Sequence, residues 1–199
     1  MTDYKMQFEV KLKWDTPSKW VETVLADFPK FLQDHADCER KASAMAMSFV
    51  AKCPDRVEII PELIETALEE LVHFKLVYEI MDQKKIPLPK QLEQDNYIAQ
   101  LIKLCRSGRE ERLLDRMVVA SVVEARGVER FRMVAENIED TELQKFYDML
   151  WRSEFKHSDV FLRLALSYWD KETIGQRLEY FIEEEAIICK NLPFRSAVH

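Results

Sequence analysis

A chain of 199 residues is long enough to bury a real core as a single domain, 1–199. Its composition, 47% apolar and 33% charged with only three glycines, excludes a strand-rich fold and points to an all-helical one. The net charge of −7 argues against nucleic-acid binding through bulk charge, and leaves a local basic patch as the route to it.

Punctuation residues divide the chain. Residues 1–14 carry no signal-peptide core, and Thr16 before Pro17 reads as an N-cap opening a short helix to about Asp27. Pro29 starts a longer helix through the 34–50 region that stops before Pro54, and another runs from near Pro61 to about Gln83. The stretch 84–90, Lys-Lys-Ile-Pro-Leu-Pro-Lys, cannot be helical at its middle, because each proline disfavours helix before it and lacks a donor. A shorter helix over about 91–107 ends at Gly108, and a long one follows over 109–137. Asp140 or Thr141 caps a fourth long helix reaching about Tyr168, and a last helix spans about 171–190 before a Pro193-containing tail. No apolar run has the length of a membrane span. Cys38, Cys53, Cys105 and Cys189 form no Cys-x-x-Cys pair and read as buried thiols of a reducing compartment, so a cytoplasmic location is expected.

Apolar stripes at helical spacing show which faces turn inward, and each carries a glutamate. They are Leu32, His35, Glu39, Ala42, Ala46 and Phe49; Leu63, Ala67, Glu70, His73, Val77 and Ile80; Leu114, Met117, Ser121, Glu124, Val128 and Phe131; and Leu143, Tyr147, Leu150, Glu154, His157, Phe161 and Leu164. Glu70/His73 and Glu154/His157 are both Glu-x-x-His, a spacing that offers a carboxylate oxygen and an imidazole nitrogen from one helix face. Isolated buried carboxylates carry a penalty of several kcal/mol, and four together repel. Two divalent ions would neutralise four carboxylates, and a carboxylate–imidazole set without thiolate suits iron or manganese better than structural zinc.

Hairpin arithmetic supports the pairing. Glu39 lies fifteen residues before Pro54 and Glu70 sixteen after it; Glu124 lies sixteen before Asp140 and Glu154 fourteen after. Each lone glutamate is thus expected level with its Glu-x-x-His partner, and two such hairpins about a pseudo-twofold would gather all six side chains at one centre. Glu129 competes with Glu124 but lies five residues nearer the turn, roughly 7 Å along the axis at about 1.5 Å per residue. His35 reads as a core histidine or one that supports Glu39, not as a ligand. A Glu from each of two helices plus Glu-x-x-His from each of the other two is the ligand pattern of ferritin-like di-iron bundles. The expected fold is therefore an all-α, ferritin-like antiparallel four-helix bundle with additional shorter N-terminal, middle and C-terminal helices.

Several segments resemble the tRNA hydroxylases that act on 2-methylthio-isopentenyladenosine beside the anticodon. They are Thr16-Pro17-Ser18-Lys19-Trp20, the run from Asp34-His35 through Glu39-Arg40-Lys41-Ala42, Glu69-Glu70-Leu71-Val72-His73-Phe74, Ile86-Pro87-Leu88, Glu124-Ala125-Arg126 with Glu129-Arg130-Phe131, and Ser153-Glu154-Phe155-Lys156-His157. The likeness runs from about Thr16 to Cys189, whereas the tail Pro193-Phe194-Arg195-Ser196-Ala197-Val198-His199 departs from the family's. The resemblance implies two iron ions held by Glu39, Glu70, His73, Glu124, Glu154 and His157, which act in catalysis through the metal centre. It implies a non-haem di-iron monooxygenase that uses dioxygen to hydroxylate the isopentenyl chain.

With no flavin, nicotinamide or iron–sulfur fingerprint, the two electrons are expected from a separate reductase or ferredoxin. For tRNA, the densest basic stretch comprises Lys84, Lys85, Lys90, Lys103, Arg106, Arg109 and Arg112. Arg126 and Arg130 either join the RNA contacts or pair with carboxylates near the metal. The alternatives are an iron-oxidising and iron-storing ferritin, another di-metal oxidase, and a metal-free helical interaction module.

Overall fold

A computed structural model describes residues 8–91 and 94–199, without the side chains of Lys156 and His157. Among the described residues all regular structure is helical: α1 (Ser18–Ala26), α2 (Phe28–Lys52), α3 (Ile60–Gln83), α4 (Asn96–Lys103), α5 (Arg109–Asn137), α6 (Thr141–His157), α7 (Val160–Ala165) and α8 (Lys171–Asn191). They pack as two compact units. One holds residues 8–21, 95–194 and 199, and the other residues 22–91, 94 and 195–198. No helix is long and apolar enough to cross a membrane among the described residues.

The second unit is built on the α2–α3 hairpin. Asp27 caps α2 by accepting from the Lys30 amide, and Pro29 follows at the helix start, where a missing N–H is harmless. Buried Phe31, Leu32, Ala36, Ala46 and Phe49 of α2 meet Leu63, Ala67 and Val77 of α3, and the Ser43 hydroxyl donates to Ala67 O across the seam (2.7 Å). α3 ends in a left-handed cap. The Ile86 amide donates to Met81 O (2.8 Å) and the Lys85 amide to Asp82 O (3.0 Å), with Lys85 at φ 58°. This is the position where glycine is the inexpensive residue, and the loop beyond it is pinned by Gln33 Nε2 donating to Pro87 O (2.7 Å). The Lys-Lys-Ile-Pro-Leu-Pro loop is thus non-helical as expected.

In the first unit α5 packs against α6, α7, α8 and α4, and α4 also against α8. α5 has the expected bounds, preceded by Gly108. Three expectations need correction. Thr16 does not cap α1, because its amide and hydroxyl both donate to the Glu129 carboxylate (2.8 Å each) and so tie the chain to α5. The helix expected over 91–107 is only α4: Asp95 caps it through the Ile98 amide, and Leu92 and Glu93 lie outside the described residues.

The fourth long helix breaks at Ser158–Asp159. There the Ser158 hydroxyl donates back to Phe155 O (2.9 Å), and the buried Asp159 carboxylate accepts the amide of Phe8 (3.4 Å) while its backbone leaves the helical region (φ −104°, ψ 4°). Side-chain bonds to backbone compete with the helical ladder, and here they end it.

Asp115 joins α5 to α8 and to the turn before α5. Its buried carboxylate accepts from Arg106 Nε and Nη2 (3.0 and 2.8 Å), the Arg106 amide (2.9 Å), and Arg177 Nε and Nη2 (2.8 and 3.1 Å). Burial alone would raise the carboxyl's pKa, but the bonds from Arg106 and Arg177 outweigh it and hold it below the ordinary 3.8. A depressed folded-state value contributes stability above the unfolded value, and that contribution fades as pH falls toward the folded one.

Two outcomes are expected in denaturant titrations. Lys85→Gly should stabilise the chain by about 1 kcal/mol by relieving the left-handed cap, while Lys85→Ala should not. Asp115→Asn should cost about 2–3 kcal/mol at pH 7, less than the about 3–5 kcal/mol of a fully buried pair because both guanidinium groups reach water. Its deficit against the parent should shrink as pH drops below about 4.

Candidate metal centre

Helical spacing places the acidic and imidazole groups of the α2–α3 hairpin. Glu70 and His73, three residues apart, share the inward face of α3, and Glu39 faces them from α2; all three are buried. Each offers a ligand atom within 4.8 Å of the others'. His73 Nδ1 lies 3.7 Å from Glu70 Oε2 and 3.9 Å from Glu39 Oε2. The level pairing expected from distances to Pro54 is therefore present in this hairpin.

His35, one turn before Glu39 on α2, is fully enclosed, and its Nε2–H donates to Glu39 Oε1 at 2.6 Å. Burial, reinforced by neighbouring His73, lowers the His35 pKa to about 3. A neutral imidazole can orient Glu39 and leave its other oxygen to a ligand, the arrangement by which metal-binding carboxylates are steadied from behind. Two carboxylates and one imidazole in a buried cluster, with His35 uncharged beside them, make the donor set of a hard or borderline divalent cation. The residues present fit such an ion.

In the α5–α6 hairpin, Glu154 is buried among Tyr147, Leu150 and Phe161, and Glu124 is half-buried on α5. His157 is the last residue of α6, and its side chain lies outside the described set. Glu129, the rejected competitor of Glu124, is taken up by Thr16 and by Arg126 Nη1.

Arg126 settles into a second buried network. Its Nε and Nη2 donate to the two oxygens of Glu185 on α8 (2.7 and 2.9 Å), Nη2 also to Trp14 O (2.8 Å), and Nη1 to Thr16 Oγ1 (3.0 Å). Burial would loosen its proton, but Glu185 and Glu129 outweigh that and raise the pKa. Tyr97 Oη donates to Glu185 (3.2 Å), as does the Cys189 thiol (3.1 Å), and the His199 ring stacks on Tyr97 at 4.8 Å. Arg130 sits over the Trp20 ring at 5.1 Å. The two arginines are therefore interior groups of this unit and do not form an RNA-facing pair. Glu185 was missed by sequence reasoning, although it continues the α8 stripe Ile174, Leu178, Phe181 at helical spacing and could have been found as a fifth inward glutamate.

The basic residues Lys84, Lys85 and Lys90 are exposed in the second unit's proline loop, and Lys103, Arg106, Arg109 and Arg112 are exposed in the first unit. The Arg106 guanidinium is committed to Asp115.

Comparison with known proteins agrees with this chemistry. A curated relative from Pseudomonas putida, named tRNA 2-(methylsulfanyl)-N(6)-isopentenyladenosine(37) hydroxylase, is 36% identical over 164 residues, covering 82% of this chain and 79% of the relative. A protein of the same name from Salmonella typhimurium is 28% identical over 231 aligned positions, covering 90% and 84%. Among solved structures, Protein 43 with aldehyde deformylating oxygenase activity from Synechococcus superposes with a TM-score of 0.89 at 31% identity, over 95% of this chain and 93% of that one. The fold is accordingly the ferritin-like, all-α bundle expected. The family model described as tRNA-(MS[2]IO[6]A)-hydroxylase (MiaE) matches residues 4–199, and the chain belongs to that family.

Proposed function

We propose that this chain is a tRNA-modifying monooxygenase of the cytoplasm. It would hydroxylate the isopentenyl side chain of 2-methylthio-isopentenyladenosine next to the anticodon, with dioxygen as co-substrate. The observation that carries the reading is the buried Glu39, Glu70 and His73 cluster in a member of the hydroxylase family. Glu39, Glu70 and His73 of one hairpin, with Glu124, Glu154 and His157 of the other, would hold two irons, the whole chain acting as one di-iron domain. Irons so bound supply the activation of dioxygen, and electrons come from a separate reductase or ferredoxin.

The chain's own residues do the rest. His35 keeps Glu39 aimed, and its neutral ring adds no positive charge to compete with a cation. The apolar stripes of α2 and α3, Leu32, Ala36, Leu63 and Val77, exclude water from around the carboxylates, which strengthens every charge interaction there. Exposed Lys84, Lys85 and Lys90 of one unit, and Lys103, Arg109 and Arg112 of the other, would meet phosphates. A second reading, turnover of an aldehyde, is favoured by the Synechococcus structure alone.

Mass analysis of tRNA nucleosides from cells with and without the gene tests the substrate. Loss of the hydroxylated nucleoside on deletion is expected; its persistence, together with aldehyde consumption by the purified protein, would give the assignment to the second reading. After anaerobic iron loading the protein should carry about two irons per chain. Glu70→Ala or His73→Ala should abolish at least one of them, and His35→Leu should weaken iron binding about 10–100-fold, with His35→Gln, which keeps an N–H donor, closer to the parent.

A further inference from the structure

The last residues of the chain are held against the start of α2. Ser196 Oγ donates to Asp27 O (2.6 Å), and the Val198 amide donates to Asp34 Oδ2 (2.7 Å); Ser196, Ala197 and Val198 are buried. Beside them lies a notch of about 90 Å³ lined by Lys30, Gln33, Pro89, Gln91, Arg195 and Ser196. It is far below the about 300–1,000 Å³ of a small-molecule site, and it has the scale of a single phosphate group.

Its chemistry is that of an anion seat. Lys30 and Arg195 bring two cations, and Gln33 and Gln91 bring amide donors. Asp34, the carboxylate in the lining, already accepts the Val198 amide and the Cys38 thiol (3.7 Å). The proline loop adds Lys90, exposed between the two lining residues Pro89 and Gln91, and Lys85, which keeps a charged side chain at a left-handed position where glycine would be less strained. In a chain of net charge −7, these four cations, two lining the notch and two on the adjoining loop, are a local reversal of sign.

We propose that this notch binds a backbone phosphate of the tRNA substrate, with Arg195 and Lys30 as its contacts, so that the carboxyl-terminal tail is part of the RNA-binding surface. This rests on the tRNA reading above and deepens it. Lys30 precedes Glu39 by nine residues of α2, about 14 Å along the axis at about 1.5 Å per residue. That distance lies within the strand length tracked by grooves that hold about 4–16 nucleotides of single strand. The tail bonds explain how Arg195 is positioned: its neighbours Ser196 and Val198 are fastened to Asp27 and Asp34.

The test is a binding titration of the iron-loaded full chain with a synthetic anticodon stem–loop carrying the prenylated adenosine, repeated between 50 and 200 mM salt. In Lys30→Gln/Arg195→Gln the affinity should fall about tenfold, and the slope of log K against log salt should lessen by about 1.4, two contacts at about 0.7 each. Lys52→Gln, the same substitution as Lys30→Gln but at the far end of α2, should alter neither. Lys30 is exposed, so Lys30→Gln alone preserves the fold and should show about half the change in slope. RNA affinity and slope unchanged in the double variant would overturn the proposal while leaving the tRNA reading intact. Loss of inorganic phosphate binding without loss of RNA affinity would make the notch a free-anion site and overturn it equally. Failure of the parent protein to bind the stem–loop at any salt would overturn both readings together.

Discussion

A carboxylate taken out of water must have its charge answered, and this chain buries several. Two solutions stand side by side in it. Glu185 and Asp115 are answered within the protein, by the fork of Arg126 and by the paired forks of Arg106 and Arg177. Glu39 and Glu70 are gathered instead with His73 and a neutral His35, an arrangement whose charge calls for a cation. The contrast separates two kinds of buried carboxylate: those reached by arginine are neutralised within the protein, and those beside histidine form a donor set that suits a divalent cation.

The arginine pairs explain how α5 is held. Arg126 lies two residues from Glu124 and joins α5 to α8 and to the segment before α1 through Glu185, Trp14, Thr16 and Glu129. Arg130, one turn on, is covered by Trp20. The rotation of α5 about its axis, and with it the direction of the Glu124 side, is thereby fixed from outside the hairpin. Comparable restraint in the α2–α3 hairpin comes from Ser43 to Ala67 and from the tail bonded to Asp27 and Asp34.

Much of this was legible in residue order because helices announce themselves locally. Gly108 and Asp140 bracket α5, and Pro29, Pro54 and Pro61 bracket the first hairpin, so bounds and the level of Glu39 with Glu70 and His73 followed from counting. What could not be read depends on partners distant in sequence. The break after His157 arises when Asp159 takes the Phe8 amide, 151 residues away, and Thr16 fails to cap because Glu129, 113 residues on, claims both its donors. Arg106 looked like surface charge, since nothing nearby in the chain announces that Asp115 will turn inward to meet it.

None of the four cysteines is in a disulfide, and Cys53, Cys105 and Cys189 are buried. Burial, with Glu185 beside it, pushes the Cys189 thiol up to about 12, and burial with nearby Asp115 raises Cys105 as well. Thiolate, not thiol, is the form that oxidants attack. The sulfur beside the Arg126–Glu185 pair is thus kept in the proton-bearing form, the one that oxidants attack least.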